Sequence, residues 1–265
     1  MATAEFSGSV PANYDKYLGP VLFEPYAVDL AARLPAGDGL RVLELACGTG
    51  IVTRRLRQAL GETGTVVATD VSEPMVAYAR DAVPEPGIEW QQADAQALAF
   101  ADGSFDVVVC QFGFMFLPDK VQGFSEARRV LVPGGILLAN IWCSLDENPV
   151  AGAIHATVTR LFPADPPRFM EIPYGYGDTE RIRKDLADAG WENVQLETVR
   201  VQGLGPSAAD FATGFAVGSP LTHELVTRAA DPEAVARALT DALIPLGGDQ
   251  PFRPALAATV LTAVR

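Results

Sequence analysis

From residue 40 onward the apolar and polar positions switch between two periods. LRVLELA (40–46) is apolar apart from Glu44 and reads as a short strand covered on both faces. It runs into the loop CGTG. IVTRRLRQAL (51–60) then repeats its apolar positions at helical spacing, and Gly61 and Gly64 end it. TVVATD (65–70) predicts a second strand. Ser72 is placed to cap the next helix, with Pro74 in its first turn. IEWQQAD (88–94) and SFDVVVCQF (104–112) predict the third and fourth strands, and a helix fits 119–131. PGG (133–135) predicts a turn into a fifth strand, ILLANIWC (136–143). Strands separated by helices imply an α/β protein with a parallel sheet and right-handed crossovers.

After Cys143 the rhythm breaks. Residues 144–177 combine a helical stretch (150–162) with the Pro- and aromatic-rich FPADPPRFMEIPYGYG. A helix over 178–189 ends at Gly190, NVQLETVRVQG (193–203) alternates as a strand, 207–247 reads as helical, and 252–265 as a last strand. Residues 1–39 form a helical lead-in rich in aromatics, including Tyr14, Tyr17, Phe23 and Tyr26. The expected organisation is one domain: lead-in (1–39), a core that binds a nucleoside (40–143), and a remainder (144–265) that completes the sheet and carries cap insertions at about 144–177 and 207–247.

Charge narrows the partners. The net charge is −13 over 265 residues, so the mean field repels a nucleic-acid backbone and tolerates a cationic ligand. No apolar run reaches the length of a membrane span, and MATAEFSGSV lacks the basic and apolar regions of a signal peptide. Cys47, Cys110 and Cys143 have no paired spacing, which argues against a disulfide framework or a zinc site. A cytoplasmic protein without a metal, acting on neither nucleic acid nor membrane, is expected.

The chemistry concentrates in VLELACGTG (42–50) and in Asp70, about 20 residues on, at the end of the second strand. Strand, glycine loop and helix make a nucleoside site at the carboxyl edge of a parallel sheet. Gly48 and Gly50 let backbone approach the ligand. An acid after the second strand can accept both ribose hydroxyls. A dinucleotide would want a third glycine where Thr53 stands, and Glu44 disfavours a pyrophosphate beside it. Two acids suit a cationic nucleoside.

These residues resemble the class I S-adenosylmethionine-dependent methyltransferases, in particular the small-molecule branch related to ubiquinone/menaquinone C-methyltransferases. ELACGTG (44–50), TDVSEPMVAYAR (69–80), QADAQALAFADGSFDVVVCQFGFMFLPD (92–119) and RRVLVPGGILLANIW (128–142) resemble the family's segments in order. Ala46 departs from the commoner glycine. The resemblance implies a Rossmann-like fold: a mainly parallel seven-stranded sheet with helices on both faces and a helical cap insertion. It implies S-adenosyl-L-methionine as cofactor, with S-adenosyl-L-homocysteine as product. Glu44, Ala46, Cys47, Gly48, Gly50 and Gln111 would line its methionine end. Asp70 would hold the ribose. Met75, Asp94 and Ala95 would meet the adenine, and Tyr17, Val71 and Phe112 would also contact the cofactor.

The acceptor is expected to be a small, mostly apolar metabolite of the secondary-metabolism kind. Tyr14, Phe114, Met115, Trp142, Tyr174, Tyr176, Phe211 and Phe215 are the candidate pocket residues. His155 and His223, the only histidines, fall in the cap and are the candidate general bases. Three readings compete with methyl transfer: a non-methylating enzyme such as a cyclase on the same cofactor, an NAD-linked oxidoreductase, and a non-catalytic nucleoside-binding protein. Exposed apolar surface on the cap would allow a homodimer.

Overall fold

The computed structural model describes residues 10–265; the first nine residues of the expected lead-in lie outside them. The lead-in comprises α1 (Val10–Asn13), a π-helical stretch (Tyr14–Phe23) and α2 (Glu24–Ala32). The wide turn is visible at its end, where Glu24 N–H donates to Gly19 O five residues back.

The core follows as β1 (Arg41–Leu45), α3 (Ile51–Ala59), β2 (Thr65–Asp70), α4 (Glu73–Ala82), β3 (Ile88–Gln92), β4 (Phe105–Gln111), α5 (Lys120–Val130) and β5 (Leu131–Trp142). Then come α6 (Pro149–Leu161), α7 (Thr179–Asp188), β6 (Asn193–Gln202), α8 (Ala208–Gly218), α9 (Leu221–Thr227), α10 (Pro232–Gly247) and β7 (Ala255–Val264). Asp119 and Asp178 cap α5 and α7 with their carboxylates. Ser72 occupies the corresponding position before α4, but its side chain makes no capping bond.

One seven-stranded sheet runs β3-β2-β1-β4-β5-β7-β6. β1 to β5 pair in parallel, whereas β7 is antiparallel to both its neighbours, so the sheet is mixed. The PGG turn also needs correction: Pro133–Gly135 lie within β5, which starts at Leu131 directly after α5. Gly134 N–H donates to Arg265 O (3.0 Å) and Arg265 N–H to Gly135 O (2.9 Å), so the end of β7 draws this segment into the sheet. The irregularity is absorbed as a register shift against β4 between Phe105 and Val107. Val42, Leu43, Val107, Val108, Val109 and Leu137 are all buried, as the doubly covered centre of a sheet requires.

The crossing order puts the carboxyl ends of β1, β2 and β4 side by side, and the lead-in and α8 pack over that edge. Asn148 secures the far side. Its Nδ2 donates to the carbonyls of Cys143, Ser144 and Ala257, and its Oδ1 accepts from Ala257 N–H (2.9 Å).

Candidate functional site

The loop after β1 is held against β2 by Cys47 N–H, which donates to Thr69 O (2.9 Å). Gly48 has φ +53°, and a Cβ there would meet nothing within 4 Å, so its face is open to a ligand. Asp70, at the end of β2, accepts Gly48 N–H on Oδ2 and Ser72 N–H on Oδ1, both at 2.9 Å. Two backbone donors thus fix the carboxylate while each oxygen keeps acceptor capacity. Burial raises the Asp70 pKa, and these N–H groups oppose the rise.

Glu44 is only 1% exposed, and its Oε2 has no hydrogen-bond partner. Burial pushes its pKa up to about 8; Thr53, facing it from α3, favours the anion, and the charge of Asp70 disfavours it. Among the described residues Glu44, Asp70 and Asp15 form no ion pair. An unpaired buried acid is costly, and a bound cation removes that cost. The open glycine and unpaired acids fit a cationic nucleoside and oppose a pyrophosphate.

The lead-in crosses above this loop. Asp15 accepts Thr49 Oγ1–H on Oδ1 (3.2 Å) and the Tyr78 hydroxyl on Oδ2 (3.1 Å), joining the π-helical stretch to the glycine loop and to α4. Sequence reading missed Asp15, because nothing local distinguishes it from a solvated helix acid.

β4 delivers the second half of the site. Phe112 has φ +53°, a left-handed conformation that costs a non-glycine residue about 1–2 kcal/mol. The surroundings impose it: Phe112 N–H donates to both Oδ1 (3.0 Å) and the carbonyl (3.1 Å) of buried Asn140. Next to it, Gln111 Nε2 donates to Phe23 O (3.1 Å), tying β4 to the lead-in. A Cβ on Gly113 would lie 2.7 Å from Ala46 Cβ and 2.6 Å from Cys110 Sγ, so only glycine lets this loop pack on the loop after β1.

The strained turn lays the Phe112 ring on Trp142 (centroids 3.8 Å apart, planes at 4°), and Tyr174 stacks beyond Trp142 at 5.8 Å. These rings wall a cavity of about 50 Å³. Tyr14, Leu18, Leu22 and Phe23 close it from the lead-in, Phe169 and Met170 from the loop before Tyr174, and Phe215 from α8. Burial, then the charge of Asp70, then Tyr174 hold the Tyr14 hydroxyl well above its usual pKa.

Of the expected cofactor residues, Glu44, Ala46, Cys47, Gly48, Gly50, Asp70 and Val71 gather at the β1 and β2 ends, with Gln111 and Phe112 at the end of β4. Ala46 has φ +54°, so the departure from glycine is a strained one. Cys47 is buried, and burial raises its thiol pKa, so no thiolate nucleophile forms there. Met75 is buried on α4. Asp94 follows β3 beside Ala95, and its Oδ1 is engaged by Gln96 N–H (2.8 Å). Tyr17 lies against Gly214 of α8, and its hydroxyl accepts from Lys16 Nζ (3.0 Å).

Of the expected pocket residues, Tyr14, Trp142, Tyr174 and Phe215 line the cavity. Four others do not. Phe114 stacks on Phe124 of α5 in the core, and Met115 is buried outside the lining. Tyr176 donates to Asp185 Oδ2 (2.7 Å) on α7, and Phe211 packs on Phe252. His155 on α6 and exposed His223 on α9 also stand outside the lining. Leu18 and Leu22 were missed, although they continue from Tyr14 at a spacing of four along a predicted helix.

Residues 43–139 match the methyltransferase domain family. The chain is 32% identical to the ubiquinone/menaquinone biosynthesis C-methyltransferase UbiE of Ectopseudomonas mendocina (strain ymp), over 72% of this chain and 81% of that protein. Among solved structures, phospholethanolamine N-methyltransferase 2 of Haemonchus contortus, in complex with phosphomonomethylethanolamine and S-adenosylhomocysteine, superimposes with a TM-score of 0.62 at 17% identity, covering 96% of this chain and 56% of that one. The [4+2]-cyclase SpnF superimposes at 0.58 with 21% identity, covering 91% and 80%. With the acid-lined glycine loop and the aromatic cavity on one sheet edge, these likenesses establish that the chain belongs to the class I S-adenosylmethionine-dependent methyltransferases, resembles the ubiquinone/menaquinone C-methyltransferases, and uses S-adenosylmethionine as its cofactor.

Proposed function

We propose that this methyltransferase acts on a small, largely apolar molecule held in the cavity between the lead-in, Phe112, Trp142, Tyr174 and α8. The observation that carries this reading is the adjacency of the two halves of the site: Tyr14 and Phe112 line the aromatic cavity, while Asp15, next to Tyr14, bonds Thr49 of the glycine loop and Gly113, next to Phe112, packs on Ala46.

When bound, S-adenosylmethionine supplies an electrophilic methyl group on a sulfonium. The chain's own residues position it. Asp70, oriented by Gly48 and Ser72 N–H, would accept the ribose hydroxyls, and Glu44 would compensate the positive charge of the methionine end. The open face of Gly48 admits the ligand against backbone. The lining contains no His, Asp, Glu, Lys or Arg, so the cavity offers no base that ionises near neutral pH. The acceptor's nucleophilic atom therefore arrives already reactive, and the enzyme contributes alignment for in-line transfer to O, N or C. A cavity of about 50 Å³ is far below the roughly 300 Å³ of a typical small-molecule site, so the lead-in must yield for the acceptor to enter.

The test is a mass-spectrometric acceptor screen with S-adenosylmethionine, using wild type and Asp70→Ala. Gain of one CH2 on an apolar acceptor, lost in the variant, supports the reading. Transfer only to charged or polymeric acceptors overturns it. The cyclase, oxidoreductase and non-catalytic readings each predict no methylated product.

A further inference from the structure

The cavity wall carries two hydrogen-bond donors that the fold does not use. Tyr174 is 7% exposed and Trp142 3%. Neither the Tyr174 hydroxyl nor the Trp142 indole N–H makes a hydrogen bond among the described residues, although both line the cavity and their rings are stacked. Neither is sealed into the protein: the buried polar atoms left without partners are elsewhere, at Glu44, Thr53, Glu85, His155, Thr159 and Thr222. The other buried aromatics with donors show the contrast. Trp191 Nε1–H donates to Phe124 O (3.1 Å), the Tyr26 hydroxyl to Val199 O (3.1 Å) and the Tyr176 hydroxyl to Asp185 (2.7 Å). A buried Tyr or Trp usually finds a partner, so two idle donors on one wall mark a place where a ligand supplies the acceptor.

Ser219 does not compete with them. The Ser219 hydroxyl donates to Phe215 O (2.8 Å) and accepts from Leu221 N–H (3.2 Å). The lining holds no carboxylate to accept from the two donors or to receive a cationic amine.

We infer that Tyr174 and Trp142 form a donor pair that binds a hydrogen-bond-accepting oxygen on the acceptor, and so select oxygen-bearing apolar molecules over bare hydrocarbons and amines. This rests on the reading of the cavity as the acceptor site. Tyr174 and Trp142 are then positioning residues for the transfer.

The experiment titrates the full chain, saturated with S-adenosylhomocysteine, with 2-naphthol, 2-methylnaphthalene and 2-naphthylammonium by calorimetry. It uses wild type, Tyr174→Phe, which removes only the donor, and Trp142→Phe, which keeps an aromatic ring on Phe112 and Tyr174 but removes the indole N–H together with part of the ring. Wild type is expected to bind 2-naphthol about tenfold or more tightly than 2-methylnaphthalene, the gain of roughly one hydrogen bond, and to bind the ammonium weakest. Tyr174→Phe is expected to reduce that preference several-fold while leaving the hydrocarbon and S-adenosylhomocysteine affinities unchanged, which also verifies folding. Equal binding of naphthol and hydrocarbon by wild type, or a preference that survives in both variants, overturns the inference and leaves the acceptor site standing. Binding of none of the three overturns the acceptor-site reading itself.

Discussion

Replacing Glu44 with Gln separates what the site does for the ligand from what it costs the fold. Glu44 lies within the sheet with its Oε2 unpartnered, and burial raises its pKa from 4.5 to about 8. A carboxyl whose folded pKa is raised favours folding in its protonated form, so stability is present below the unfolded pKa and is lost as pH rises toward the folded one. Applied to values of 4.5 and about 8, that linkage predicts a loss of about 4 kcal/mol in the ligand-free protein between pH 5 and pH 9. A glutamine side chain has the same shape and cannot ionise, so Glu44→Gln is expected to match wild type near pH 5 and to exceed it by up to that amount near pH 9. Binding shows the opposite sign. The cofactor's positive charge favours the Glu44 anion, so wild-type affinity for S-adenosylmethionine rises with pH by up to about tenfold per unit between pH 6 and 8, then levels off. Affinity of the variant is weaker and flat across this range. Urea denaturation of the apo-protein and calorimetric titration with S-adenosylmethionine, each across pH, measure the two effects. Stability curves for wild type and Glu44→Gln that run parallel from pH 5 to 9 would refute the reasoning.

Ala46→Gly relieves a left-handed alanine and is expected to stabilise the protein by about 1 kcal/mol, read from the urea midpoint; a lower midpoint would show that the strain is absent. Asn148→Ala abandons three carbonyls and one N–H at the β5–β7 end and is expected to cost about 2–4 kcal/mol and to lower Tm, with cofactor affinity preserved in the folded fraction. His155→Gln and His223→Gln are expected to leave turnover of an identified acceptor unchanged, because neither histidine lines the cavity; a large drop in kcat for either would restore it as a base.

The sequence by itself determined the glycine loop after β1 and the acids beside it. The conformations needed there are local and are written in residue identity: Gly48 and Gly50 at positive φ, and Asp70 at the last position of an apolar strand that must end at the sheet edge. Glu44 was legible for the same reason, since one acid in an otherwise apolar strand has to be buried. The direction of β7 was not legible, because alternation along a strand is identical read either way and only its pairing with β5 and β6 decides it. The aromatic cavity depended on the tertiary structure throughout. Phe114 and Phe116 are two residues apart in one aromatic run, yet a single 3₁₀ turn (Phe114–Phe116) sends Phe114 under α5 and Phe116 to the cavity. Tyr174 and Tyr176 divide likewise, one to Trp142 and one to Asp185. Asp15 reaches Thr49 across 34 positions, and Phe112 stacks on Trp142 across a strand pairing. Residue type states what a side chain can bind; which partner it meets over such separations is set by how helices and loops pack, and only the folded chain holds that information.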